Sequence, residues 1–487
     1  MRSHSPPRTI TTTISPNFYL RDNNDDDQQY TLDTANDAAA PSQQGLLFFK
    51  TLYFLEGFSA TNFGRFAVLY FSKEKNLSLT EIGTIQGVTP FAALGAQVFW
   101  GWLADEIQSR KTVMVICKFF STVLLMSLAF PFVESFTTIF ILSAAISAFR
   151  STPVLDAHTM DLLGPPHATM YGTIRMWSAI SMALGAVAVG QMTDFYGFAM
   201  DFFLYGSMMT LQLVALLAGL PKRTDSEHEI YQQLLHQHKE HDAKEIEPDD
   251  NDDTVVEASV EPHQYNALGD TLMRASVIYW LSEVSILWAG MSIVDSFLFV
   301  YMQQDLQAST LLCGYTVGVT VLCALPIFHY SKELLEWLGH DMILMLSMAS
   351  FSTRVVGYSY LTPDTVQWIL LLEILEGVTA SCVPIIMVDY ADCIAPKGWS
   401  TTIQSTVNAV IVRIGGGVGP LIAGAVMDAY GGRAMFQGLG ILAGLLLYLH
   451  LTVMAIGGVA HDKFLYNLQE ERMEKARGGG RKLLTTV

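Results

Sequence analysis

Asp156 and Arg175 form the first charged pair whose spacing suggests chemistry. They lie six residues before and six residues after a short polar turn at 162–169, within otherwise apolar sequence. If antiparallel helices flank that turn, both side chains lie at a similar depth. A planar guanidinium opposite a carboxylate offers several hydrogen-bond donors and acceptors to a polyhydroxylated solute. We therefore predict a substrate-binding site, and a structural salt bridge between two helices is the alternative.

A second charged group consists of Arg354, Glu373 and Glu376. The two glutamates are three residues apart, so they share one face of a helix. Two close carboxylates in a poorly solvated site cannot both ionise easily, so one of them can carry a proton reversibly. Movement of Arg354 toward or away from them would couple protonation to conformation. We predict a proton-coupling site, and a static ion pair is the alternative.

Three further residues are candidates for contact with a solute or for shaping its path. Trp177, two positions after Arg175, could stack on a ring, although packing in a helix interface is the commoner role. Asp295 lies in the outer half of a helix expected to line a cavity, and it is a second candidate for substrate or proton contact. Arg413 precedes a glycine-rich run at 415–420, which permits close helix packing or bending.

The elements that position these residues are twelve apolar stretches, six on either side of an acidic linker. About 20 apolar residues cross about 30 Å of hydrocarbon as a helix. The predicted fold class is therefore an all-α membrane protein with 12 transmembrane helices in two six-helix bundles. The predicted spans are 46–71, 79–101, 112–130, 135–160, 172–193, 198–220, 275–301, 310–332, 342–361, 365–391, 402–427 and 434–459. The predicted domains are a disordered cytoplasmic segment at 1–45, bundles at 46–220 and 274–460, the linker at 221–273 and a cytoplasmic tail at 461–487.

Composition agrees with a membrane protein. Hydrophobic residues make up 51% of the chain and charged residues 15%, against about 25% charged residues in soluble domains. The net charge of -18 comes largely from the polar segments, and the linker alone carries fourteen acidic and four basic residues. This balance argues against nucleic-acid binding.

No metal site or cofactor is predicted. The five cysteines have no metal-ligand spacing and fall in or beside apolar spans, so they are interpreted as small packing residues. His236, His238 and His241 could bind zinc, but a flexible acidic linker offers no fixed surroundings for a metal ion.

Orientation follows from the positive charges outside the spans. With the N-terminus inside, eighteen lysines and arginines are cytoplasmic and three are external. Both termini and the linker are therefore predicted to be cytoplasmic. The first 45 residues contain no apolar signal-peptide core, so the first span is expected to act as its own insertion signal. We predict a plasma-membrane monomer.

A short repeat relates the two predicted halves. Residues 190–197 read Gly-Gln-Met-Thr-Asp-Phe-Tyr-Gly after the fifth span, and residues 424–431 read Gly-Ala-Val-Met-Asp-Ala-Tyr-Gly after the eleventh. These positions are equivalent in a six-plus-six layout. The halves are therefore interpreted as copies in parallel orientation.

The loop after the second span contains Gly101, Asp105, Arg110 and Lys111. It resembles the loop signature of the major facilitator superfamily, Gly-x-x-x-Asp-Arg-x-Gly-Arg-Arg. The resemblance implies a gating loop in which Asp105 caps a helix or pairs with a base. Anchoring of the cytoplasmic end by Arg110 and Lys111 is the alternative.

Motifs in both halves give a more specific resemblance. They include Thr152-Pro153-Val-Leu-Asp156-Ala-His158, Tyr171-Gly172-Thr-Ile-Arg175-Met-Trp177-Ser178, Asp295-Ser-Phe297-Leu-Phe299-Val-Tyr301, Leu325-Pro326-Ile-Phe328, Arg354-Val-Val-Gly-Tyr358 and Glu373-x-x-Glu376-Gly377. They are similar to the lactose-permease-related branch, and most to the group around major facilitator superfamily domain-containing protein 6 and its -like relatives. The resemblance implies that Asp156 and Arg175 grip a solute. It also implies that Arg354 and a helix-ten carboxylate couple protons.

The resulting prediction is a secondary active transporter that works by alternating access. It would move a small polar solute, such as a sugar or nucleoside, with protons across the bilayer. No nucleotide-cradling Gly-Lys-Ser/Thr loop is present, which disfavours an ATP-driven pump, and no enzymatic activity is expected. The alternative is a non-transporting receptor or sensor that retains the fold.

Overall fold

The computed structural model describes residues 43–167, 170–220, 232, 272–395, 400–457, 463–465 and 468. Within these residues the chain is almost entirely helical and contains no strand. Residues 1–42 of the predicted disordered segment, most of the linker, including His236, His238 and His241, and most of the tail lie outside the described residues. Residues 43–45, also predicted to be disordered, are helical.

The helices divide into a first half before the linker and a second half after it. In the first half they are α1 (Gln43–Phe63), α2 (Arg65–Lys73), α3 (Leu79–Glu106), α4 (Arg110–Leu128), α5 (Phe136–Ala148), α6 (Thr152–His167), α7 (Tyr171–Tyr196) and α8 (Phe198–Gly219). In the second half they are α9 (Ala275–Gln304), α10 (Thr310–His329), α11 (Ser331–Tyr360), α12 (Ile369–Ile394), α13 (Ser400–Asn408), α14 (Gly416–Tyr430) and α15 (Gly432–Gly457). A 3₁₀ helix at Pro363–Trp368 precedes α12, and a π-helix at Ala409–Gly415 joins α13 to α14.

Nine helical stretches within the described residues are long and apolar enough to cross a membrane. They comprise α4, α5 with α6, α7, α8, α9, α10, α12 with its 3₁₀ turn, α13 with α14, and α15. The predicted spans 46–71, 79–101 and 342–361 also form helices, in α1 with α2, α3 and α11, but these are not among the nine.

Local sequence accounts for where several helices start and end. The Ser78 hydroxyl accepts a hydrogen bond from the Glu81 backbone N–H, and the Glu81 carboxylate accepts one from the Ser78 N–H. These two reciprocal hydrogen bonds form a capping box at the start of α3. Gly197 and Gly431 end α7 and α14 with φ angles of 74° and 82°, which favour glycine.

Two helix pairs join the halves at close range, α3 with α14 and α7 with α10. A Cβ built on Gly83 would lie 2.5 Å from the carbonyl oxygen of Pro420. A Cβ on Gly190 would lie 2.5 Å from that of Thr310. Glycine is therefore required at both crossings because only its missing side chain allows the backbones to approach this closely.

The repeated aspartates reinforce those two crossings. Asp428 at the end of α14 accepts hydrogen bonds from the backbone N–H groups of Leu79 and Thr80 at 3.0 and 2.6 Å. Asp194 at the end of α7 accepts from Thr310 and Leu311 at 2.9 and 2.8 Å. Each carboxylate thus caps a helix of the opposite half. We call this end of the molecule the Asn76 end, after the loop before α3.

Four helical stretches are interrupted. Gly64 separates α1 from α2, and residues 149–151 separate α5 from α6. The π-helix lies at 409–415. In α11, Gly339 has a φ of 73°, which kinks the helix. The loop predicted between 332 and 342 is therefore helical on both sides of that glycine.

Candidate functional site

A cavity of about 500 Å³ lies between the two halves. Its polar lining includes Arg65 and Arg150 from the first half, and Asp295, Glu376 and Arg413 from the second. Sites of this size and mixed lining commonly bind small molecules. The cavity therefore brings predicted and unpredicted charged residues together.

Arg65 at the start of α2 links the two halves inside this cavity. Its guanidinium forms an ion pair with Asp295 of α9. A second nitrogen–oxygen contact, at 3.7 Å, joins it to Glu376 of α12. The break in the helix at Gly64 lies directly before it. Two carboxylates of the second half therefore share one cation of the first.

Glu376 also forms an ion pair with Arg354 of α11, whose side chain is fully buried. The Arg354 guanidinium lies 5.5 Å from the ring centre of Phe351 and 5.7 Å from that of Tyr358. Aromatic faces attract a guanidinium, so these rings help to hold a charge that burial disfavours. Glu376 thus lies between one arginine of each half.

Glu373 lies on the same helix but has different partners. Its carboxylate accepts hydrogen bonds from the hydroxyls of Tyr358 and Thr320, the latter at 2.9 Å. The side chain is completely buried and does not line the cavity. Of the two glutamates, Glu376 is therefore the one that lines the cavity.

Asp156 and Arg175 form the expected ion pair between α6 and α7. The Tyr53 hydroxyl donates to Asp156 at 2.7 Å, and Arg175 donates to the Tyr171 hydroxyl at 2.7 Å. Neither charged residue lines the cavity between the halves, and the Arg175 side chain is 50% exposed. Trp177 is partly buried and also lies outside the cavity lining.

The gating-loop residues make contacts within the first half. Arg110 forms an ion pair with Asp161 at 3.0 Å. Lys111 donates to the backbone oxygens of Leu217 and Leu220, at 2.9 and 2.5 Å. Asp105 is exposed at the end of α3, where its backbone oxygen accepts from Gln108.

Gly101, in the same helix, lies in open surroundings. A Cβ built there would meet no described atom within 4 Å. Gly101 therefore does not lie at a close helix contact in this conformation.

A separate ionic cluster is buried among helices of the first half. Glu56 forms an ion pair with Lys118 and accepts hydrogen bonds from Gln212 and Thr152, at 2.9 and 2.8 Å. Both charged side chains are about nine-tenths buried. Both oxygens of the Glu56 carboxylate have partners, so this cluster holds four helices together.

The model of the MFS_1 like family matches residues 46–438, which is most of the chain. The chain belongs to the MFS_1 like family. The predicted membership of the major facilitator superfamily is thereby confirmed.

Curated relatives match this MFS_1 like chain over shorter stretches. An uncharacterized transporter of Bacillus subtilis, YwbF, is 28% identical over 128 residues, which are 26% of this chain and 31% of the relative. Maltose permease of Geobacillus stearothermophilus is 28% identical over 176 residues, which are 36% of this chain and 44% of the permease. The matches span less than half of either relative.

Solved structures match almost the whole membrane region. The nucleoside transporter NupG aligns with a TM-score of 0.67 at 13% identity, covering 84% of this chain and 98% of that one. A peptide transporter POT in complex with sulfate aligns with a TM-score of 0.62 at 16% identity, covering 88% and 98%. These likenesses establish the fold. With the nine apolar stretches of the described residues and the family match, they identify an integral, multi-pass membrane protein.

Sequence reasoning overlooked three intramembrane cations of this MFS_1 like chain: Arg65, Lys118 and Arg150. Each falls inside a predicted span. A systematic search for charges within apolar stretches would have found them, since such residues almost always face a partner or a watery cavity. The sequence does not indicate which carboxylate, if any, pairs with each of these cations.

No group of three or more potential metal ligands occurs among the described residues. The histidines considered for zinc lie outside them.

Proposed function

We propose that this chain is a secondary active transporter that works by alternating access, with twelve membrane-crossing helices in two six-helix bundles. The observation that carries the proposal is Glu376, a carboxylate in the cavity between the halves that contacts an arginine of each. An ionisable group at membrane depth beside a cavity is typical of transport pathways. The similarity to a maltose permease, a nucleoside transporter and a peptide transporter supports a small polar solute.

Glu376 is the proposed proton carrier. When ionised it attracts Arg65 of the first half and Arg354 of the second, which favours contact between the halves. Protonation removes that attraction and leaves Arg65 to Asp295 alone. Proton binding therefore biases the balance between the two orientations of the cavity, which is the requirement for coupling.

We also propose the orientation and the subfamily that the sequence predicts. With both termini cytoplasmic, the closed Asn76 end faces outside, and the gating loop lies at the cytoplasmic end. The motifs around Asp156, Arg175 and Glu376 support placement in the lactose-permease-related branch, near the domain-containing protein 6 group. Asp156, Arg175 and Trp177 then remain candidates for solute contact in a conformation that opens toward them. We propose that the transporter is a monomer in the plasma membrane.

Uptake into proteoliposomes tests the proposal. The purified chain is reconstituted and supplied with labelled sugars, nucleosides and aromatic acids, with and without an inward-acid pH step. We expect accumulation of at least one solute class that requires the pH step.

Glu376→Gln tests the proton assignment, because the amide keeps the shape but cannot release a proton. We expect it to abolish pH-driven accumulation while leaving exchange of solute across the membrane. The exposed Glu333→Gln is the matched control and should behave as the parent chain. Accumulation that is unchanged in Glu376→Gln refutes the coupling role, and movement of no solute under any gradient refutes transport.

A non-transporting receptor is the second candidate. It is favoured by the ion pairs that are complete without a solute, Glu56 with Lys118 and Asp156 with Arg175. A receptor would bind its ligand in the same assay but would move none across the membrane.

A further inference from the structure

Arg150 and Arg413 are two cavity-lining cations without a carboxylate partner. Among the described residues, Arg150 makes no hydrogen bond or ion pair. Arg413 donates to the side-chain oxygen of Gln97 at 2.9 Å, and its Nε is buried without a hydrogen-bond partner. One arginine comes from each half, and both line the same cavity.

The remaining charges at the cavity compensate one another. Arg65 is paired with Asp295, and Arg354 with Glu376. Glu373 is occupied by two hydroxyl donors behind the cavity wall. The excess is therefore the positive charge of Arg150 and Arg413, which line the same cavity. Like charges that line one cavity are stabilised when an anion lies between them.

The backbone is irregular at both arginines. Arg150 lies in the break between α5 and α6, and Arg413 lies in the π-helix. Irregular backbone at membrane depth is tolerated where it lines a cavity, and π-helical turns often occur at functional sites. In addition, α6 starts at Thr152, so its positive dipole end is directly beside Arg150.

We propose that Arg150 and Arg413 bind a carboxylate or phosphate group of the transported solute, which makes that solute a small organic anion. This inference rests on the proposed transport function and specifies its substrate class. Guanidinium groups match both anions because their paired N–H donors bind two oxygens at once. Trp288, Met182 and Met291 line the same cavity and provide an apolar wall for the rest of the solute.

Matched pairs of probes test the site in the purified full chain in lipid nanodiscs. The pairs are benzoate with benzamide, glucose 6-phosphate with glucose, and uridine monophosphate with uridine, beside inorganic phosphate alone. Binding is followed by tryptophan fluorescence and by thermal stability. We expect the anionic member of at least one pair to bind at least about tenfold more tightly than its neutral counterpart, a difference of about 1.4 kcal/mol. Which pair responds distinguishes a carboxylate from a phosphate.

Arg150→Gln and Arg413→Gln should each weaken that binding at least about tenfold and remove the preference for the anion. Arg150→Lys and Arg413→Lys keep the charge and serve where a glutamine variant fails to fold. They should bind with intermediate affinity, because lysine lacks the paired donors. Lys73→Gln removes an exposed cation outside the cavity and should leave binding unchanged.

The inference is overturned if no anionic probe binds, if both members of every pair bind equally, or if the arginine variants bind as the parent does. Uptake by the same preparation separates this failure from that of transport. Accumulation of neutral probes alone supports the transport function and refutes the proposed anion site. Arginine-dependent anion binding without uptake under any gradient supports the site and refutes transport.

Discussion

At single residues, the unifying feature is how buried charge is compensated. Lys118 and Glu56 neutralise each other within one half, whereas Arg65 neutralises carboxylates of the other half. The first arrangement stays intact whichever way the halves move, while the second depends on their positions. The Glu56–Lys118 pair is therefore expected to stabilise its own half, whereas the contacts of Arg65 can report on conformation.

Lys118→Met is expected to destabilise the chain. It leaves Glu56 buried without its cation, and breaking such a pair costs about 3–5 kcal/mol. The melting temperature in detergent should fall well below that of the parent. In the double variant Glu56→Leu with Lys118→Met both charges are gone, so most of the lost stability should return. Lys73→Met is the exposed control. A double variant no more stable than Lys118→Met would contradict a simple charge-pair account.

Among helices, the repeated Gly-x-x-x-Asp-x-x-Gly segments acquire a physical role. In each half the aspartate at the end of one helix caps the start of a helix in the other half. The preceding glycine lets the same two helices touch. Because capping carboxylates favour a helix N-terminus both by hydrogen bonding and by the helix dipole, these contacts stabilise the closed Asn76 end.

Asp428→Asn and Asp194→Asn are expected to loosen that closure. The amide keeps one acceptor but loses the charge, worth about 0.3–1 kcal/mol at a helix N-terminus. The open population should rise about two- to fivefold for each substitution and further for the two together. The change is measured in a chain lacking the five native cysteines, with a new cysteine at Ser292 in the cavity. A membrane-impermeant maleimide applied at the Asn76 end should label this cysteine faster in the variants.

Asp364→Asn is the matched control, since that aspartate is exposed and has no cross-half contact among the described residues. Labelling that is equally slow in all variants would show that the glycine crossings alone hold this end closed.

For the whole molecule, the distribution of positive charge predicts one orientation. In the predicted topology, eighteen lysines and arginines lie on the side of Arg110 and Lys111, and three lie on the side of Asn76. In intact cells, a cysteine replacing Asn76 should react with an impermeant thiol reagent, and one replacing Gln108 should react only after permeabilisation. The reverse pattern would invert the molecule in the membrane and make the closed end cytoplasmic.

The sequence alone determined the helical membrane class, the family and the ends of several helices. These follow from properties carried by short stretches: apolar length, the Ser78 and Glu81 cap, and the glycines at 197 and 431. It also predicted functional roles for Glu376, Arg354 and Asp295, because a charged residue in an apolar stretch can be recognised without knowledge of the fold.

Only the tertiary structure decided which charges meet. Spacing on one helix suggested that Glu373 and Glu376 act as a pair, yet each binds different side chains from other helices. Arg65 pairs with Asp295, 230 positions away, and Arg150 and Arg413 of different halves line one cavity. Such contacts depend on how helices from distant parts of the chain rotate and cross, and no local pattern encodes that geometry.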